Sequence, residues 1–111
     1  MESPLIIKSK TFALMVIKAC DSIKGSHVLT NQLLRSGTSI GANIREAFYA
    51  HSRADFIAKL QIALKECAET EYWLELLTES GIYQDAELKP LCVELKRMLI
   101  ASLRTAKERP E

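Results

Sequence analysis

The sequence predicts an all-α fold in which four antiparallel helices form an up-down-up-down bundle. Apolar residues recur at alternating intervals of four and three residues, a spacing that keeps them on one face of a helix. Only 4 Gly and 3 Pro occur among the 111 residues, and they stand where helices would begin or end. Amphipathic helices joined by short loops favour such a bundle, and this length suits one domain over residues 1–111.

The first helix is predicted over residues 4–24. Ser3 suits its N-cap and Pro4 its first position, where the N–H that proline lacks would be unpaired in any residue. Gly25 is expected to end this helix, because glycine readily adopts the left-handed conformation of a helix stop. The apolar positions of this helix are Leu5, Phe12, Val16, Ala19 and Ile23.

The second helix, predicted over residues 30–51 with Thr30 as its cap, carries two neighbouring rows of residues. The apolar row is expected in the core and consists of Leu33, Gly37, Ile40, Ile44 and Ala47. The polar row has similar spacing and consists of Gln32, Ser36, Ser39, Asn43 and Glu46. Short Ser and Asn side chains are poor helix formers, whereas a solvated face normally carries Lys and Glu. The polar row could be a subunit interface, a buried intramolecular network or a ligand site, and we interpret it as an interface.

The third helix is predicted over residues 53–80, with Ser52 as its N-cap and Gly81 as its stop. Its inner row is Phe56, Leu60, Ala63, Cys67, Thr70, Leu74 and Leu77. A second apolar row lies outside the inner one and consists of Ile62, Trp73 and Leu76. This row and the polar row of the second helix provide more adhesive surface than one core consumes, so we predict a homo-oligomer.

The fourth helix is predicted over residues 86–107, with Asp85 as its cap. Pro90 conflicts with a helix interior, because proline removes a hydrogen bond and clashes with the preceding turn. The helix must therefore either begin near Ala86 with a distorted first turn or begin at Pro90, and we predict the earlier start. The apolar row expected in the core is Leu88, Cys92, Leu95, Leu99 and Ala106.

The formal net charge of +1 hides an uneven distribution. Residues 1–53 carry +4, residues 54–95 carry −6 and residues 96–111 carry +3, so opposite charges could pair within the bundle or between copies. Nucleic-acid phosphates need only cations on a common surface. However, the isoelectric point of about 7.7 is low for a nucleic-acid-binding domain, and no interleaved aromatic residues suggest base stacking. The candidate phosphate-binding cations are Arg35, Arg45, Arg97, Arg104, Lys107 and Arg109.

The sequence predicts no catalytic site, no cofactor and no metal. His27 and His51 are expected in a loop and at a helix corner, and neither follows a Glu by three residues as in di-metal bundles. Cys20, Cys67 and Cys92 show no CxxC spacing and are expected to pack as free thiols without a disulfide. No apolar run approaches a membrane span and no signal peptide is evident. We therefore expect a cytoplasmic protein without a membrane partner or a small-molecule substrate.

The second and third helices carry a motif that consists of Gln32-Leu33, Arg35-Ser36, Ser39-Ile40, Asn43-Ile44, Glu46-Ala47, Ser52, Asp55-Phe56, Lys59-Leu60, Ile62-Ala63-Leu64, Glu66, Glu69 and Tyr72-Trp73-Leu74. This motif resembles that of the bacterial four-helix-bundle proteins of the 23S rRNA intervening-sequence family, and Lys8-Ser9 and Phe12-Ala13 match one branch of that family. The resemblance covers nearly the whole chain, but Ala47 stands where many members have Gly, and Pro90 lies outside the family pattern.

The resemblance implies a left-handed antiparallel bundle that assembles into a homopentameric ring and has no assigned enzymatic activity. Some members of the family are encoded inside insertions in ribosomal RNA genes. The family is also similar to the accessory variability protein of diversity-generating retroelements, which binds nucleic acid and a reverse transcriptase. By this resemblance the expected partners are further copies of the chain and RNA, DNA or a nucleic-acid enzyme.

Two functions from different classes fit the sequence. The first is a non-enzymatic oligomeric scaffold that binds RNA, DNA or a ribonucleoprotein partner through a multivalent basic surface. The second is a structural protein–protein assembly module without a nucleic-acid role. A gene neighbourhood that contains a reverse transcriptase or an rRNA insertion would favour the first function.

Overall fold

The computed structural model describes residues 3–110, and within that range the chain forms four helices and no strand. They are α1 (Pro4–Ser22), α2 (His27–Phe48), α3 (Arg53–Glu79) and α4 (Leu88–Glu108). Each helix packs against its neighbours along the chain, and α4 also packs against α1, which closes a bundle measuring 50 × 24 × 20 Å. The predicted all-α fold and the four helices are confirmed.

Contacts between the helices show that α2 and α3 run in opposite directions. Glu46 near the end of α2 pairs with Lys59 near the start of α3. Further back along α2, Arg35 pairs with Glu69, which lies further forward along α3. Only antiparallel helices can make both pairs. The left-handed sense of the bundle stays a prediction.

The core is formed by the apolar rows that the sequence predicts on each helix. The apolar row of α2 is buried at every position, and α1 approaches it closely at Gly37. A Cβ atom at Gly37 would lie 3.0 Å from both γ-methyl groups of Val16. The largest side chains that are fully buried are Phe12, Leu33, Ile40, Ile44, Leu60, Leu74, Leu77, Leu95 and Leu99.

The turn between α1 and α2 differs from the sequence prediction. The first helix ends at Ser22, two residues early, and the second begins at His27, three residues early. Gly25 does adopt positive φ, at 77°, but Ser26 after it is also left-handed, at 53°. Thr30 therefore lies inside α2, where its hydroxyl is 3.2 Å from the Ser26 carbonyl. The second helix also ends earlier than predicted, at Phe48.

The third helix follows its prediction to within one residue. The Ser52 hydroxyl accepts a hydrogen bond from the Asp55 N–H at 3.1 Å, as expected of an N-cap. Gly81 has φ 80° and ends the helix in a Schellman motif. In this motif the Ile82 N–H donates to the Leu77 carbonyl at 3.1 Å.

The fourth helix begins at Leu88, between the two starts considered from the sequence. Pro90 therefore occupies the first turn, where a backbone N–H has no partner within the helix and its loss costs little. Glu87 holds the N-cap position, two residues after the predicted cap, and its side chain makes no capping hydrogen bond. The Asp85 carboxylate satisfies the first turn instead. It accepts hydrogen bonds from the N–H groups of Glu87, Leu88 and Lys89 at 3.1, 2.7 and 2.8 Å. The helix continues to Glu108, one residue beyond its predicted end.

Candidate interaction surfaces

The polar row of α2 lies along the contact with α3. Ser36 is fully buried there and accepts a hydrogen bond from the Thr70 hydroxyl at 2.9 Å. Asn43 donates to the Ser39 carbonyl at 2.9 Å, within the same helix. Glu46 is exposed, and its carboxylate lies 3.2 Å from the Lys59 ammonium on α3. At Ser36 and Glu46 the polar row thus makes contacts inside the chain.

Arg35 joins α2 to α3 through several polar contacts. Its Nε donates to the Gln32 side chain at 3.2 Å, and its Nη1 donates to Glu66 at 3.3 Å. Its Nη2 pairs with Glu69, which also accepts a hydrogen bond from the Trp73 indole N–H at 3.2 Å. Two carboxylates therefore neutralise the cation that the sequence suggested for phosphate binding.

The second apolar row of α3 lies beside this polar row. Because Glu46–Lys59 and Arg35–Glu69 fix the register of the two helices, Ile62 lies opposite Asn43 and Trp73 lies opposite Gln32. Ile62 is 37% exposed, whereas Trp73 is half-buried against the core. The fold thus brings the two sets of predicted interface residues together, except that Ser36 is buried beneath them. The others form one surface, which we call the α2–α3 face: Gln32, Ser39, Asn43, Glu46, Ile62, Trp73 and Leu76.

A second surface, between α1 and α2, was missed by the sequence interpretation. Leu14 is 59% exposed there, and Ile17 and Leu34 are also exposed. They line a groove of about 780 Å³ whose other lining residues are Lys18, Cys20, Asp21, Ile23, His27, Thr30 and Asn31. The signal that could have revealed it is the spacing of Ile7, Leu14 and Ile17, at intervals of seven and three beside the inner row of α1. We call this surface the α1–α2 groove.

Much of the acidic charge of α3 is paired with cations on adjacent helices. Besides the contacts of Arg35, Lys96 on α4 lies 2.6 Å from Glu71 and Lys89 lies 3.9 Å from Glu75. The hydrogen bond to Glu71 raises the pKa of Lys96 above its ordinary value. The acidic middle segment of the sequence and its basic C-terminal segment therefore meet within the bundle.

Contacts between the other helices show which helix ends lie together. Gly37 meets Val16 and Gly41 meets Ser9, so α1 runs opposite to α2, and Arg53 at the start of α3 contacts Ala106 near the end of α4. Cations collect at one of the two ends of the bundle. This basic end combines the first half of α1, the second half of α2, the first half of α3 and the second half of α4, which are residues 3–13, 38–66 and 98–110. It holds nine Lys and Arg residues against four Asp and Glu residues. The nine are Lys8, Lys10, Arg45, Arg53, Lys59, Lys65, Arg104, Lys107 and Arg109.

Four of the six predicted phosphate-binding cations belong to this basic end: Arg45, Arg104, Lys107 and Arg109. All four side chains are exposed. Arg97 lies at the middle of α4, two turns before Arg104. Arg35 lies in the other half of the bundle, in its ion pairs. Within residues 3–110, the basic-end cations without an ion pair are Lys10, Arg45, Lys65, Arg104, Lys107 and Arg109.

Aromatic residues at the corner between α2 and α3 stand beside these cations. Phe48 packs edge-to-face on Phe56, with ring centroids 5.7 Å apart and an interplanar angle of 89°. Arg53 donates to the Ala106 carbonyl at 3.2 Å and to the Arg109 carbonyl, which ties this corner to the end of α4. A cleft of about 450 Å³ opens between them, lined by Ala47, Phe48, Ala50, Ser52, Arg53, Phe56, Ala106, Arg109 and Pro110.

The three cysteines are free thiols, two of them in the core. Cys92 on α4 is fully buried, and its Sγ lies 3.5 Å from the carbonyl oxygen of Cys67 on α3. The hydrogen bond with Cys67 and burial raise the pKa of Cys92 far above its ordinary value, and burial raises that of Cys20. Across residues 3–110, no three His, Cys, Asp or Glu side chains come together as a possible metal site.

No helix within residues 3–110 combines the length and the hydropathy that crossing a bilayer requires. A family model described as 23S rRNA-intervening sequence protein matches residues 3–101. No curated protein matches the chain. Among solved structures, it is similar to a protein of unknown function from the S23 ribosomal protein family of Bacteroides thetaiotaomicron. The two are 44% identical with a TM-score of 0.86, over 91% of this chain and 99% of that chain. The chain therefore belongs to the family of 23S rRNA-intervening sequence proteins.

Proposed function

We propose that the protein is a non-enzymatic scaffold that associates with copies of itself and binds the phosphates of RNA or DNA at its basic end. One observation carries this proposal: the fold gathers nine cations and only four acidic residues at that end. The stretches that supply them are separate in the sequence. A concentrated positive surface attracts a polyanion that the near-neutral chain as a whole would not.

The pairing of the charges supports phosphate binding at this end. A cation that already contacts a carboxylate offers little to a phosphate. Arg35, Lys89 and Lys96 are paired in this way in the other half of the bundle, and so are Lys8 and Lys59 at the basic end. At the basic end, Arg45, Arg104 and Lys107 remain exposed without an ion pair inside residues 3–110. These side chains can exchange small counterions for phosphates at little cost.

Exposed apolar side chains support self-association. Leu14, Ile17 and Leu34 open into the α1–α2 groove, and Ile62 is exposed on the α2–α3 face. These two surfaces differ, so copies that join one to the other make a heterologous contact, which can close into a ring. In the homopentameric ring that the family resemblance implies, five basic ends would act together, and weak contacts would become multivalent.

A non-enzymatic role fits the state of the buried polar groups. Active sites often contain unpaired buried groups or strongly shifted acids and bases held in a cleft. Every buried side-chain nitrogen and oxygen in residues 3–110 has a hydrogen-bond partner. The large pKa shift at Cys92 arises from contact with Cys67 and burial in the core, away from any cleft.

Binding of fluorescent oligonucleotides at increasing salt, with sedimentation equilibrium on the same samples, tests the proposal. We expect an oligomer that binds at low salt and weakens as salt rises. Arg104→Glu with Arg109→Glu should abolish most of this binding, and each phosphate that the variant no longer neutralises should reduce the log–log salt slope by about 0.7 to 0.9. Lys24→Glu with Lys89→Glu, exposed at the opposite end and outside the α1–α2 groove, is the matched control and should bind nearly as the parent does.

A protein–protein assembly module is the second candidate, and the α1–α2 groove favours it. Leu14 at 59% exposure is a large apolar side chain in a concave surface, as expected where another protein docks. This candidate predicts an oligomer that binds no oligonucleotide at low salt. The same result, or equal binding by the two charge-reversed variants, contradicts phosphate binding. A monomer at all concentrations contradicts both candidates.

A further inference from the structure

We propose that the corner between α2 and α3 stacks unpaired bases, so that the basic end prefers single-stranded nucleic acid to duplex. This inference rests on the proposed phosphate binding and names the form of nucleic acid that the same end selects. It concerns Tyr49, together with Phe48 and the cations beside them. Tyr49 and Phe48 were not singled out from the sequence, and the fold brings them to the basic end beside the predicted cations Arg45 and Arg109.

Tyr49 is the most exposed of the large hydrophobic residues, at 86%. It directly follows the last residue of α2, and only its backbone takes part in the end of the helix, through the N–H that bonds to the Ala47 and Glu46 carbonyls. Its ring makes no aromatic contact and its hydroxyl no hydrogen bond within residues 3–110. Most of the Tyr49 side chain is thus open to a ligand.

Phe48 has a different role from Tyr49. It is 45% exposed, and its ring meets the half-buried Phe56 edge-to-face, so it closes the end of the core as well as lining the cleft. Removing Phe48 would damage the bundle. Tyr49 makes no comparable packing contact, so its ring can be removed without damage to the core. It is therefore the residue to change in a test.

Each of the two rings has a cation near it. Arg45 precedes Tyr49 by four residues, which places both on the same side of the last turn of α2. Arg109 lines the cleft together with Phe48. Proteins that hold single strands combine aromatic platforms for the bases with cations for the adjoining phosphates. The corner supplies both within one turn of helix and one cleft.

Duplex nucleic acid cannot use this platform. Its bases already stack on one another and present only their edges in the grooves, whereas an unpaired base offers a whole face to an aromatic ring. Duplex would therefore contact the cations of the basic end alone. Single strands would contact the cations and Tyr49, and the difference in affinity between the two forms measures stacking.

Fluorescence anisotropy with a single-stranded oligonucleotide and its duplex, at one low salt concentration, tests this inference on the full-length protein. Tyr49→Ala should weaken single-strand binding by about five-fold or more, which corresponds to the lower range of stacking on one aromatic side chain. Duplex binding should change by less than about two-fold, since every phosphate-binding cation is still present. Tyr49→Phe, which keeps the ring, should bind single strands as the parent does. Tyr72→Ala removes an exposed tyrosine outside the basic end and should leave both affinities unchanged.

The outcomes separate the inference from the proposed function. If the parent protein binds duplex as tightly as single strands, or if Tyr49→Ala leaves their ratio unchanged, stacking is wrong while phosphate binding stands. Loss of single-strand binding in Tyr49→Phe as well would assign the effect to the hydroxyl and contradict stacking. If neither form binds the parent protein, both the proposed function and the inference are wrong.

Discussion

Thr70 on α3 donates a hydrogen bond to the hydroxyl of Ser36 on α2 at 2.9 Å, and both residues are fully buried. The Thr70 hydroxyl also lies 2.7 Å from the Glu66 carbonyl, and that of Ser36 lies 3.5 Å from the Leu33 carbonyl. One hydrogen bond thus joins two hydroxyl groups inside the apolar core, and each hydroxyl also lies near a carbonyl of its own helix. A slip of either helix would separate them, so the pair helps to fix the register of α2 against α3.

Removing both hydroxyls of this pair should destabilise the protein by less than the sum of the two single removals. Thr70→Val keeps the shape of the side chain but leaves Ser36 without its donor, which should cost about 1–3 kcal/mol of unfolding free energy. Ser36→Ala should cost a similar amount. Urea unfolding of the double variant should show a loss smaller than the sum of the two single losses. Strict additivity would mean that the two hydroxyls do not interact.

Gly37 should tolerate no side chain while Val16 stays in place. A Cβ at this position would lie 3.0 Å from both γ-methyl groups of Val16, whose branched side chain has little rotameric freedom in a helix. Gly37→Ala should therefore lower the unfolding free energy by about 1–3 kcal/mol, despite the better helix propensity of Ala. Combining it with Val16→Ala should relieve the clash, so that the Gly37→Ala step costs less in that background than in the parent.

Asp85 should stabilise the start of α4. Its carboxylate accepts three backbone N–H groups that the helix itself cannot satisfy. Asp85→Ala should cost about 1–2 kcal/mol, and amide hydrogen exchange should accelerate first at Leu88 and Lys89. Gln84→Ala, a change at the adjacent position, is the control and should have little effect. Equal losses for the two variants would contradict the cap.

The thiols of Cys67 and Cys92 should be unreactive until the protein unfolds. Both are fully buried, and the pKa of Cys92 is raised by its hydrogen bond with Cys67 and by burial. Only thiolates react with disulfide reagents at an appreciable rate, so a raised pKa suppresses reaction at mildly alkaline pH. At most one thiol, that of the half-buried Cys20, should titrate in the native protein. Three thiols should titrate in protein unfolded without reductant. Fewer than three would reveal a disulfide.

The raised pKa of Cys92 makes the stability of the protein depend on pH. The protonated form of Cys92 is favoured in the folded state, so its contribution is complete below the unfolded pKa of 9.0. As pH rises beyond that value, the unfolded chain releases the proton and the folded chain retains it, so stability falls. Cys92→Ala should lose stability at neutral pH through the cavity it leaves, but should show a shallower decline above pH 9.0 than the parent protein does.

The helix cores could be predicted from the sequence because burial imposes a period. The apolar row of α2 and the inner row of α3 from Leu60 to Leu77 are buried at every predicted position. The start of α2 was predicted wrongly because Thr30 resembles a cap. The helix instead begins at His27, after a turn in which Ser26 adopts positive φ. This conformation is uncommon for serine and has no sequence signal here.

The candidate surfaces could be predicted only as sets of residues, not as places. The polar row of α2 has the same sequence whether it faces α3 or another copy, and only the packing of Ser36 against Thr70 distinguishes these at that position. The basic end cannot be recognised in the sequence for a similar reason. Charge summed over continuous segments mixes both ends of each helix, whereas the bundle joins Arg45 to Arg104 and Arg109, which come from opposite halves of the chain.

The lengthwise separation of charge gives the molecule an electric dipole. The half opposite the basic end holds six Lys and Arg residues against eight Asp and Glu residues, and the bundle is 50 Å long but only 24 and 20 Å across. Rotation about an axis parallel to the bundle leaves every subunit pointing the same way. A cyclic assembly built in that manner is therefore two-sided, with one electropositive rim and one electronegative rim, and a polyanion would approach it from a single direction.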